Sequence, residues 1–234
     1  MKTVLITGST SGIGAETARL FAKNGFSVII NGRDEKRGQA TAKEVGGIFI
    51  KADVTVPNQV VKLFNQIKSL DVLINNVGGV VGNDFFDKAK EEDLQKSFNA
   101  NFFSAFYCSQ QASKIIKNGA IVNVASICGF GMYPAGPIGL PIYSAAKAAL
   151  LNLSQNMAKL LAPNIRVNAV VPGYTKTGPT GLYMSLLVKA KLNPQTLVGR
   201  INDLKETASV IYMAATNEAM TGSQIVVDGG ALVK

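Results

Sequence analysis

Two side chains that can exchange protons lie one helical turn apart. Tyr143 and Lys147 stand four residues apart in PIYSAAKAAL, with Ser144, Ala145 and Ala146 between them. Residues at this spacing share a helix face. A phenol has a pKa of about 10, and a cation about 4 Å away contributes about 4 kcal/mol at an effective dielectric constant of about 20, enough to lower that pKa by about 3. The pair therefore predicts a general acid–base group. The small alanine side chains predict that this helix lies close to the sheet and to a bound cofactor. An ordinary exposed helical pair is the alternative.

A glycine-rich turn is the second chemical signal. Residues 7–14 read TGSTSGIG after the first apolar run. Glycines at 8, 12 and 14 permit a tight turn close to a pyrophosphate, and the helix after Ile13 offers free N–H groups and a positive dipole end to the anion. The G-x-x-x-G-x-G spacing differs from the general G-x-G-x-x-G fingerprint. We interpret it as a dinucleotide site; a turn that needs glycine for conformation alone is the alternative.

The end of the second predicted strand suggests which dinucleotide binds. An acid is expected there for the ribose 2′-hydroxyl, but SVIING ends at Gly32 and is followed by Arg33. Asp34 is the nearest acid, and it is better placed to cap the next helix. A guanidinium without a carboxylate suits a 2′-phosphate, so NADP(H) is favoured and NAD(H) stays possible.

Composition excludes several classes of site. The chain has 234 residues, no histidine, two cysteines (Cys108 and Cys128) and a net charge of +9. A Ser–His–Asp triad, a disulfide framework and a zinc site are excluded, and no metal is expected. The basic residues are dispersed and no apolar run approaches a membrane span, so neither nucleic acid nor membrane is an expected partner. We expect a cytoplasmic protein.

Alternating strand and helix patterns position these residues. The strands VLIT, SVII and DVLI are apolar on both faces, as in a parallel sheet covered on both sides. We predict a single doubly wound α/β domain of the Rossmann type over residues 1–234, with about seven strands. The predicted strands are Val4–Thr7, Ser27–Asn31, Ile48–Lys51, Val72–Asn75, Ala120–Ala125, Arg166–Val171 and Gln224–Val227, and the helices lie near 13–24, 34–45, 57–68, 91–117, 142–161 and 203–216.

An aromatic stripe lies within the predicted helix 91–117. Phe98, Phe102 and Phe106 recur at every fourth position, with Phe103 and Tyr107 beside them. Such a wide apolar surface predicts packing in the core, or in part against a second subunit.

Further motifs follow in a fixed order, and with them the chain resembles a short-chain dehydrogenase/reductase of the simple, FabG-like type over nearly its whole length. They are the glycine turn, Asp53–Val54, NNVG at 75–78, Asn101 in FNANFFSAF, Ser126 in IVNVAS, the Tyr143–Lys147 pair, PGYTKT at 172–177 and TGSQIVVDGG near the end.

The resemblance implies hydride transfer between a nicotinamide dinucleotide and a carbonyl compound or secondary alcohol. It makes Tyr143 the proton donor and acceptor and Ser126 the hydrogen-bonding partner of the substrate oxygen. It also implies that Lys147 holds the nicotinamide ribose and that Asn101 fixes a water in a proton relay. A helix-kink asparagine is the alternative reading of Asn101.

The resemblance further implies a cofactor half (about 1–125), a catalytic half (about 126–234) and a homotetramer or dimer. Its implied cofactor contacts fall into groups for the phosphates, the adenosine and the nicotinamide. They are Gly8, Ser11, Gly12, Ile13 and Gly14; Arg33, Asp53, Val54, Asn76 and Gly78; and Tyr143, Lys147, Pro172, Gly173, Thr175 and Thr177. For Thr175 and Thr177 a simple turn is the alternative.

Several positions depart from the family pattern. Val77 replaces an alanine, Ser11 stands where NADP(H) enzymes often carry a basic residue, and the Gly- and Pro-rich loop from Ser126 to Tyr143 is longer than usual. That loop is expected to reshape the substrate mouth. Residues 178–199 occupy the place of the family's substrate lid. Its apolar face is expected to come from Tyr183, Met184, Leu186 and Leu187; a segment that only covers the core is the alternative.

Three functions compete at this point. An NADP(H)-linked carbonyl reductase is favoured, with an NAD-linked sugar or alcohol dehydrogenase as its alternative. A dinucleotide-sensing protein without turnover would not need Ser126, Tyr143 and Lys147 together. A structural or nucleic-acid-binding protein would need a basic face. The substrate and the direction of reaction stay open.

Overall fold

Seven parallel strands form the sheet at the centre of the structure, a computed structural model that describes residues 1–131, 140–178 and 196–233. The order across the sheet is β3-β2-β1-β4-β5-β6-β7. The strands are β1 (Thr3–Ile6), β2 (Ser27–Gly32), β3 (Ile48–Lys51), β4 (Val72–Asn75), β5 (Gly119–Val124), β6 (Ile165–Pro172) and β7 (Gln224–Val227). Every predicted strand is present, with ends that differ by at most one residue.

Helices cover both faces of this sheet. They are α1 (Gly12–Lys23), α2 (Glu35–Val45), α3 (Pro57–Phe64), α4 (Glu91–Phe98), α5 (Ser104–Ile115), α6 (Pro141–Leu161) and α7 (Leu204–Thr216). Short 3-10 helices span Ile127–Phe130 and Ala231–Val233. The predicted α/β fold of the Rossmann type is confirmed, and its division into a cofactor and a catalytic half stays a prediction.

The two faces carry separate hydrophobic cores because side chains alternate along each strand. In β1, Leu5 faces a core built with α3, α5 and α6, while Val4 and Ile6 face a core built with α1, α2 and α7. Phe21 and Ile211 are fully buried in the second core. Each such side chain contributes about 1.5–3 kcal/mol by leaving water.

The predicted helix 91–117 is wrong as a single α-helix. A π-helix, Asn99–Phe103, interrupts it between α4 and α5. The extra residue in this turn rotates the surfaces on its two sides relative to each other, and π-turns of this kind often occur at functional sites.

The aromatic stripe does not lie in the core. The face that α5 turns toward the sheet consists of small residues, among them Ala105, Cys108 and Ala112. Phe102 stacks on Phe106 with ring centroids 6.4 Å apart, and Phe106 is 38% exposed. The phenylalanine rings therefore form a half-exposed surface outside the sheet packing, whereas Tyr107 packs against the core.

The helix predicted at 57–68 is shorter than expected. It ends at Phe64, and the chain continues in tighter turns, with Gln66 N–H donating to the Leu63 carbonyl and Ile67 N–H to that of Phe64. Asp34 caps α2 as predicted, because its carboxylate accepts the Arg37 N–H at 3.0 Å.

Two features are absent from residues 1–131, 140–178 and 196–233. No helix there is long and apolar enough to cross a membrane. No group of three or more Cys, Asp or Glu side chains there is placed to hold a metal ion. Two sets of positions fall outside the described residues: the apolar lid positions Tyr183, Met184, Leu186 and Leu187, and residues 132–139 of the long loop before Tyr143.

Candidate active site

The predicted motifs converge at the carboxyl ends of four neighbouring strands. The glycine turn follows β1, NNVG follows β4, Ser126 follows β5 and Pro172–Gly173 lies at the end of β6. The chain reverses direction across the sheet between β1 and β4, and this topological switch opens a crevice at that edge. The order of the strands brings together residues that are far apart in sequence.

The glycine turn has the conformation that its glycines predict. Gly8 and Gly12 lie in the left-handed region with φ of 63° and 57°, which favours glycine. Helix α1 begins at Gly12, and the Ser11 side chain makes no capping hydrogen bond to it. Ile13 packs against the core beside α1, so its backbone is the part available to a ligand. The first N–H groups of α1 thus face the crevice without a side-chain cap, as an anion site requires.

Asn76 binds this turn to β4. Its Nδ2 donates to the carbonyls of Thr7 at 3.0 Å and Gly8 at 3.1 Å. A Cβ on Gly14 would lie 2.5 Å from the same Nδ2, so this glycine is required for packing within the turn. Thr7 Oγ1 accepts the N–H groups of Asn76 and Val77. The Asn76 amide therefore supports the turn, and its N–H donors are not free for a ribose.

Ser126 and Tyr143 form the centre of the site. Ser126 lies two residues after the end of β5 and is buried, and its Oγ accepts the Cys128 N–H at 3.2 Å. That acceptance leaves the hydroxyl proton free to be donated. The Ser126 side chain also hydrogen-bonds to Tyr143, the half-buried phenol at the start of α6. The two groups can therefore act on one oxygen atom placed between them.

Lys147 is buried one turn further along α6. Its side chain is 2% exposed, and Nζ donates to the Val124 carbonyl at 2.8 Å. Nζ lies 5.9 Å from the centroid of the Tyr143 ring. Burial lowers the pKa of Lys147 to about 8. The two side chains share a helix face as the spacing predicts.

The expected lowering of the Tyr143 pKa by Lys147 is wrong for this structure. Burial raises the pKa of Tyr143 above its ordinary value, the nearby Cys128 thiol and Asp84 raise it further, and Ser126 lowers it. The Lys147 ammonium is directed at the Val124 carbonyl rather than at the phenol oxygen. Tyr143 is therefore protonated at neutral pH, the state of a general acid.

Of the two alanines expected to pack closely between Tyr143 and Lys147, only one does so. Ala146 is fully buried, whereas Ala145 is exposed on the outer face of α6. The close approach comes from Gly129, where a Cβ would lie 2.9 Å from Leu151 Cδ1 and 3.1 Å from the Lys147 carbonyl carbon. The 3-10 helix after Ser126 thus packs directly on the backbone of α6.

Gly78 separates Asn101 from Lys147. A Cβ on Gly78 would lie 2.7 Å from Asn101 Oδ1 and 2.8 Å from Lys147 Nζ. Asn101 lies in the π-helix and is fully buried; Oδ1 accepts the Gly79 N–H at 2.8 Å, and Nδ2 donates to the Gly79 and Ser97 carbonyls. Its side chain fixes the loop after β4 within the site. Asn101 therefore has a structural role in the π-helix, and its role in a water relay stays a prediction.

At the end of β2 the chain leaves no room for an acid. A Cβ on Gly32 would lie 2.5 Å from the Thr10 methyl carbon. The Arg33 side chain is 80% exposed, with Nη1 3.7 Å from the Asp53 carboxylate. Val54 is buried in the core, so only its backbone can face an adenine. Sequence reasoning missed Thr10, because only the folded turn places its methyl group over Gly32.

The segment after β6 lies beside the glycine turn. A Cβ on Gly12 would lie 3.7 Å from Thr177 Cγ2. Gly173 packs on Asp228, where a Cβ would lie 2.7 Å from the Asp228 Cα. Thr175 is buried and donates to the Gly173 carbonyl at 3.1 Å, so its hydroxyl serves the turn. Thr177 is the better placed of the two threonines to face a bound cofactor.

One residue near the catalytic pair was missed from the sequence. Asp84, in the loop after β4, directs its carboxylate at the first turn of α6. The available signal was that Leu140 and Pro141 begin a helix without a polar cap. Nothing in the sequence distinguishes Asp84 from Asp87, the other acid of the same loop.

Comparison with known proteins is consistent with this geometry. Residues 2–183 match a family model described as short chain dehydrogenase. An uncharacterized oxidoreductase of Thermotoga maritima is 39% identical, covering 98% of this chain and 97% of the relative. A 3-oxoacyl-[acyl-carrier-protein] reductase of Chlamydia pneumoniae is 34% identical, covering 98% of this chain and 96% of the relative.

Solved structures agree in fold. A short-chain type dehydrogenase/reductase from Mycobacterium marinum superposes with a TM-score of 0.89 at 32% identity, covering 100% of this chain and 96% of the other. A protein described as a putative betaketoacyl-ACP reductase superposes with a TM-score of 0.86 at 30% identity, covering 100% and 98%.

Proposed function

This chain belongs to the short-chain dehydrogenase/reductase family, and we propose that it transfers a hydride between NADPH and a carbonyl compound, with Tyr143 as general acid. It is an NAD(P)-dependent oxidoreductase that acts on carbonyl or alcohol groups. The observation that carries the proposal is the hydrogen bond between Ser126 and Tyr143 beside the buried ammonium of Lys147.

The proton chemistry follows from these three residues. The carbonyl oxygen of the substrate accepts hydrogen bonds from the Ser126 hydroxyl and the Tyr143 phenol, and the phenol gives up its proton as the oxygen becomes negative. Lys147 would hold the nicotinamide ribose, with its Nζ 5.9 Å from the centroid of the Tyr143 ring. When bound, the nicotinamide supplies the hydride.

We propose reduction as the direction in which this site acts. Because the pKa of Tyr143 is raised by burial, the phenol begins the cycle with its proton. A reductase needs that state, whereas an alcohol dehydrogenase needs the phenolate.

The residues of the crevice fit a dinucleotide. The uncapped first turn of α1 and the left-handed glycines Gly8 and Gly12 suit the pyrophosphate, and Gly78 lets the loop after β4 pass in close contact with Asn101 and Lys147. Lys147 and Thr177 are placed to hold the nicotinamide end, and the backbone of Asp53 and Val54 the adenine.

NADPH is the preferred form in this proposal. The Thr10 methyl excludes an acid at position 32, and Arg33 is exposed beside that gap. A guanidinium can hold a 2′-phosphate with charge-assisted hydrogen bonds. NAD(H) is the second candidate, because the Asp53 carboxylate, 3.7 Å from Arg33 Nη1, offsets part of the positive charge of the guanidinium.

A 3-oxoacyl thioester is the first substrate class to test. Relatives from Chlamydia pneumoniae and Aquifex aeolicus, at 34% and 33% identity, carry the name 3-oxoacyl-[acyl-carrier-protein] reductase. A carbonyl reductase and a 3beta-hydroxysteroid dehydrogenase also occur among the relatives. We also propose a homo-oligomer, in which a second copy covers the half-exposed rings around Phe106.

Parallel titrations with NADPH and NADH test the choice of cofactor. We expect NADPH to raise the melting temperature at lower concentration, and Arg33→Ala to weaken NADPH binding about tenfold or more while leaving NADH unchanged. Arg37→Ala is the matched control, because the Arg37 guanidinium is bound to Asp34 at 2.6 Å. Equal binding of both forms by the wild type would contradict the NADPH assignment.

A second experiment tests catalysis. Tyr143→Phe should lower the rate of NADPH-dependent reduction of acetoacetyl-coenzyme A at least about 100-fold, because the general acid is lost. NADPH binding should be retained. Tyr107→Phe is the control, because the Tyr107 ring lies on α5 and stacks on Phe103, with ring centroids 6.0 Å apart. Wild-type protein that binds NADPH but reduces no carbonyl would favour a dinucleotide-sensing role.

A further inference from the structure

Helix α6, which carries Tyr143 and Lys147, begins without a capping side chain of its own. Its N-cap residue is Leu140, whose apolar side chain makes no hydrogen bond to the helix. Pro141 has no N–H, so the first donors that need a partner are the N–H groups of Ile142 and Tyr143. Unpartnered N–H groups at a buried helix end would be costly.

Asp84 supplies that partner from a distant part of the chain. Its Oδ1 accepts the Ile142 N–H at 2.7 Å, and its Oδ2 accepts the Tyr143 N–H at 3.1 Å. The residue is 7% exposed. A carboxylate at a helix N-terminus gains from the dipole and from charge-assisted hydrogen bonds, which offset the cost of burying its charge.

Given the proposed function, we propose that Asp84 is a positioning residue for the reaction, which fixes the first turn of α6 and thereby holds the Tyr143 phenol at Ser126. One of its two hydrogen bonds goes to the backbone of Tyr143 itself. A displacement of this turn would move the phenol directly.

The loop that carries Asp84 is fixed on both sides. At one end, Asn101 binds the Gly79 N–H and carbonyl at 2.8 Å and 2.9 Å. Next to Asp84, the Asn83 N–H donates to the carboxylate of Asp93 at 2.9 Å. The loop is therefore hydrogen-bonded to the π-helix, to α4 and to the start of α6.

The charge of Asp84 has a second effect on the phenol. The groups that face Tyr143 are the Ser126 hydroxyl, the Cys128 thiol, Lys147 on its own helix and Asp84. Burial is the main cause of the raised pKa of Tyr143, and the Asp84 carboxylate raises it further. Removal of this charge would lower the pKa of the phenol.

The Asp84→Asn variant distinguishes a role of Asp84 in positioning the Tyr143 phenol from a role in the stability of the fold alone. The amide keeps the size of the carboxylate and one acceptor oxygen, but it loses the charge and one N–H partner. We expect the kcat of acetoacetyl-coenzyme A reduction to fall about tenfold while the KM for NADPH changes less than about threefold. The alkaline limb of the pH profile should move to lower pH, because a less basic phenolate forms earlier. Asp87→Asn, at an exposed aspartate of the same loop, should match the wild type.

Two measurements do not depend on turnover. Ultraviolet titration of the phenols, with Tyr143→Phe and the double variant as references, should show a lower midpoint for Tyr143 in Asp84→Asn. Hydrogen exchange at the N–H groups of residues 142 and 143 should be faster in Asp84→Ala. If both the phenol titration and the exchange were unchanged, the proposal would be overturned, whatever the effect on kcat. A wild type that does not reduce the thioester would count against the proposed function alone.

Discussion

Individual side chains in this site have properties that their types alone do not predict. The Tyr143–Lys147 spacing suggests that the ammonium acidifies the phenol, but burial acts on both groups in the opposite sense: the pKa of Tyr143 is raised and that of Lys147 is lowered to about 8. Each neutral form is favoured because a buried charge loses its hydration. The site thus holds its catalytic proton at neutral pH.

The lowered pKa of Lys147 predicts a pH-dependent stability. Its pKa of about 8 in the folded protein lies below the ordinary value of 10.5, so the unfolded state binds the proton more tightly. This group therefore destabilises the folded protein fully below pH 8, and the penalty disappears as the pH rises to about 10.5. Lys147→Met should be the more stable form at pH 7, by up to about 3 kcal/mol, with the difference shrinking above pH 8.

Chemical denaturation of both proteins at several pH values measures this difference. A difference that stays constant between pH 7 and 10.5 would mean that Lys147 keeps its ordinary pKa in the fold. The substitution removes only one charge, so the other lysines cancel in the comparison.

At the scale of elements, the site is assembled by close contacts between loops and helices. The loop after β4 enters between Asn101 on the π-helix and Lys147 on α6, and Gly78 is the residue at the contact. The sequence indicates a glycine in NNVG, but the pairing with Asn101 depends on the π-turn, which moves this side chain relative to a regular helix.

Gly78→Ala tests this assembly. The added Cβ would lie 2.7 Å from Asn101 Oδ1 and 2.8 Å from Lys147 Nζ, so both side chains must shift. We expect NADPH-dependent turnover to fall about tenfold or more with little change in melting temperature. Val77→Ala, which removes atoms from the neighbouring position, is the control. Full activity of Gly78→Ala would show that the loop can move aside without loss.

At the scale of the whole molecule, one surface has no function within the isolated chain. The rings of α4, the π-helix and α5 stack on one another, with Phe106 38% exposed and Leu94 44% exposed beside them. The small residues on the opposite side of α5 already fill the contact with the sheet. An apolar surface of this kind is typical of contacts between subunits.

Phe106→Glu should therefore shift the protein to a smaller assembly. Light scattering after size-exclusion chromatography measures the mass directly. Ile48→Glu, an exposed apolar residue on the edge strand β3, is the control and should leave the mass unchanged. A wild-type monomer would contradict the proposed oligomer.

The sequence by itself determined the elements and the chemical candidates. Apolar runs such as VLIT and DVLI set the strands within one residue, because a buried parallel strand leaves a local pattern. The glycine turn, Ser126 and the Tyr143–Lys147 pair were equally visible, since residue type and spacing are local properties.

Only the tertiary structure decided how these candidates act. The contact of Thr10 with Gly32, the cap that Asp84 gives to α6, and the π-turn at Asn101 join residues that are far apart or depend on packing. The directions in which the pKa values of Tyr143 and Lys147 shift were also decided there, because burial is a property of the whole fold and outweighs the pairwise attraction that the spacing suggests.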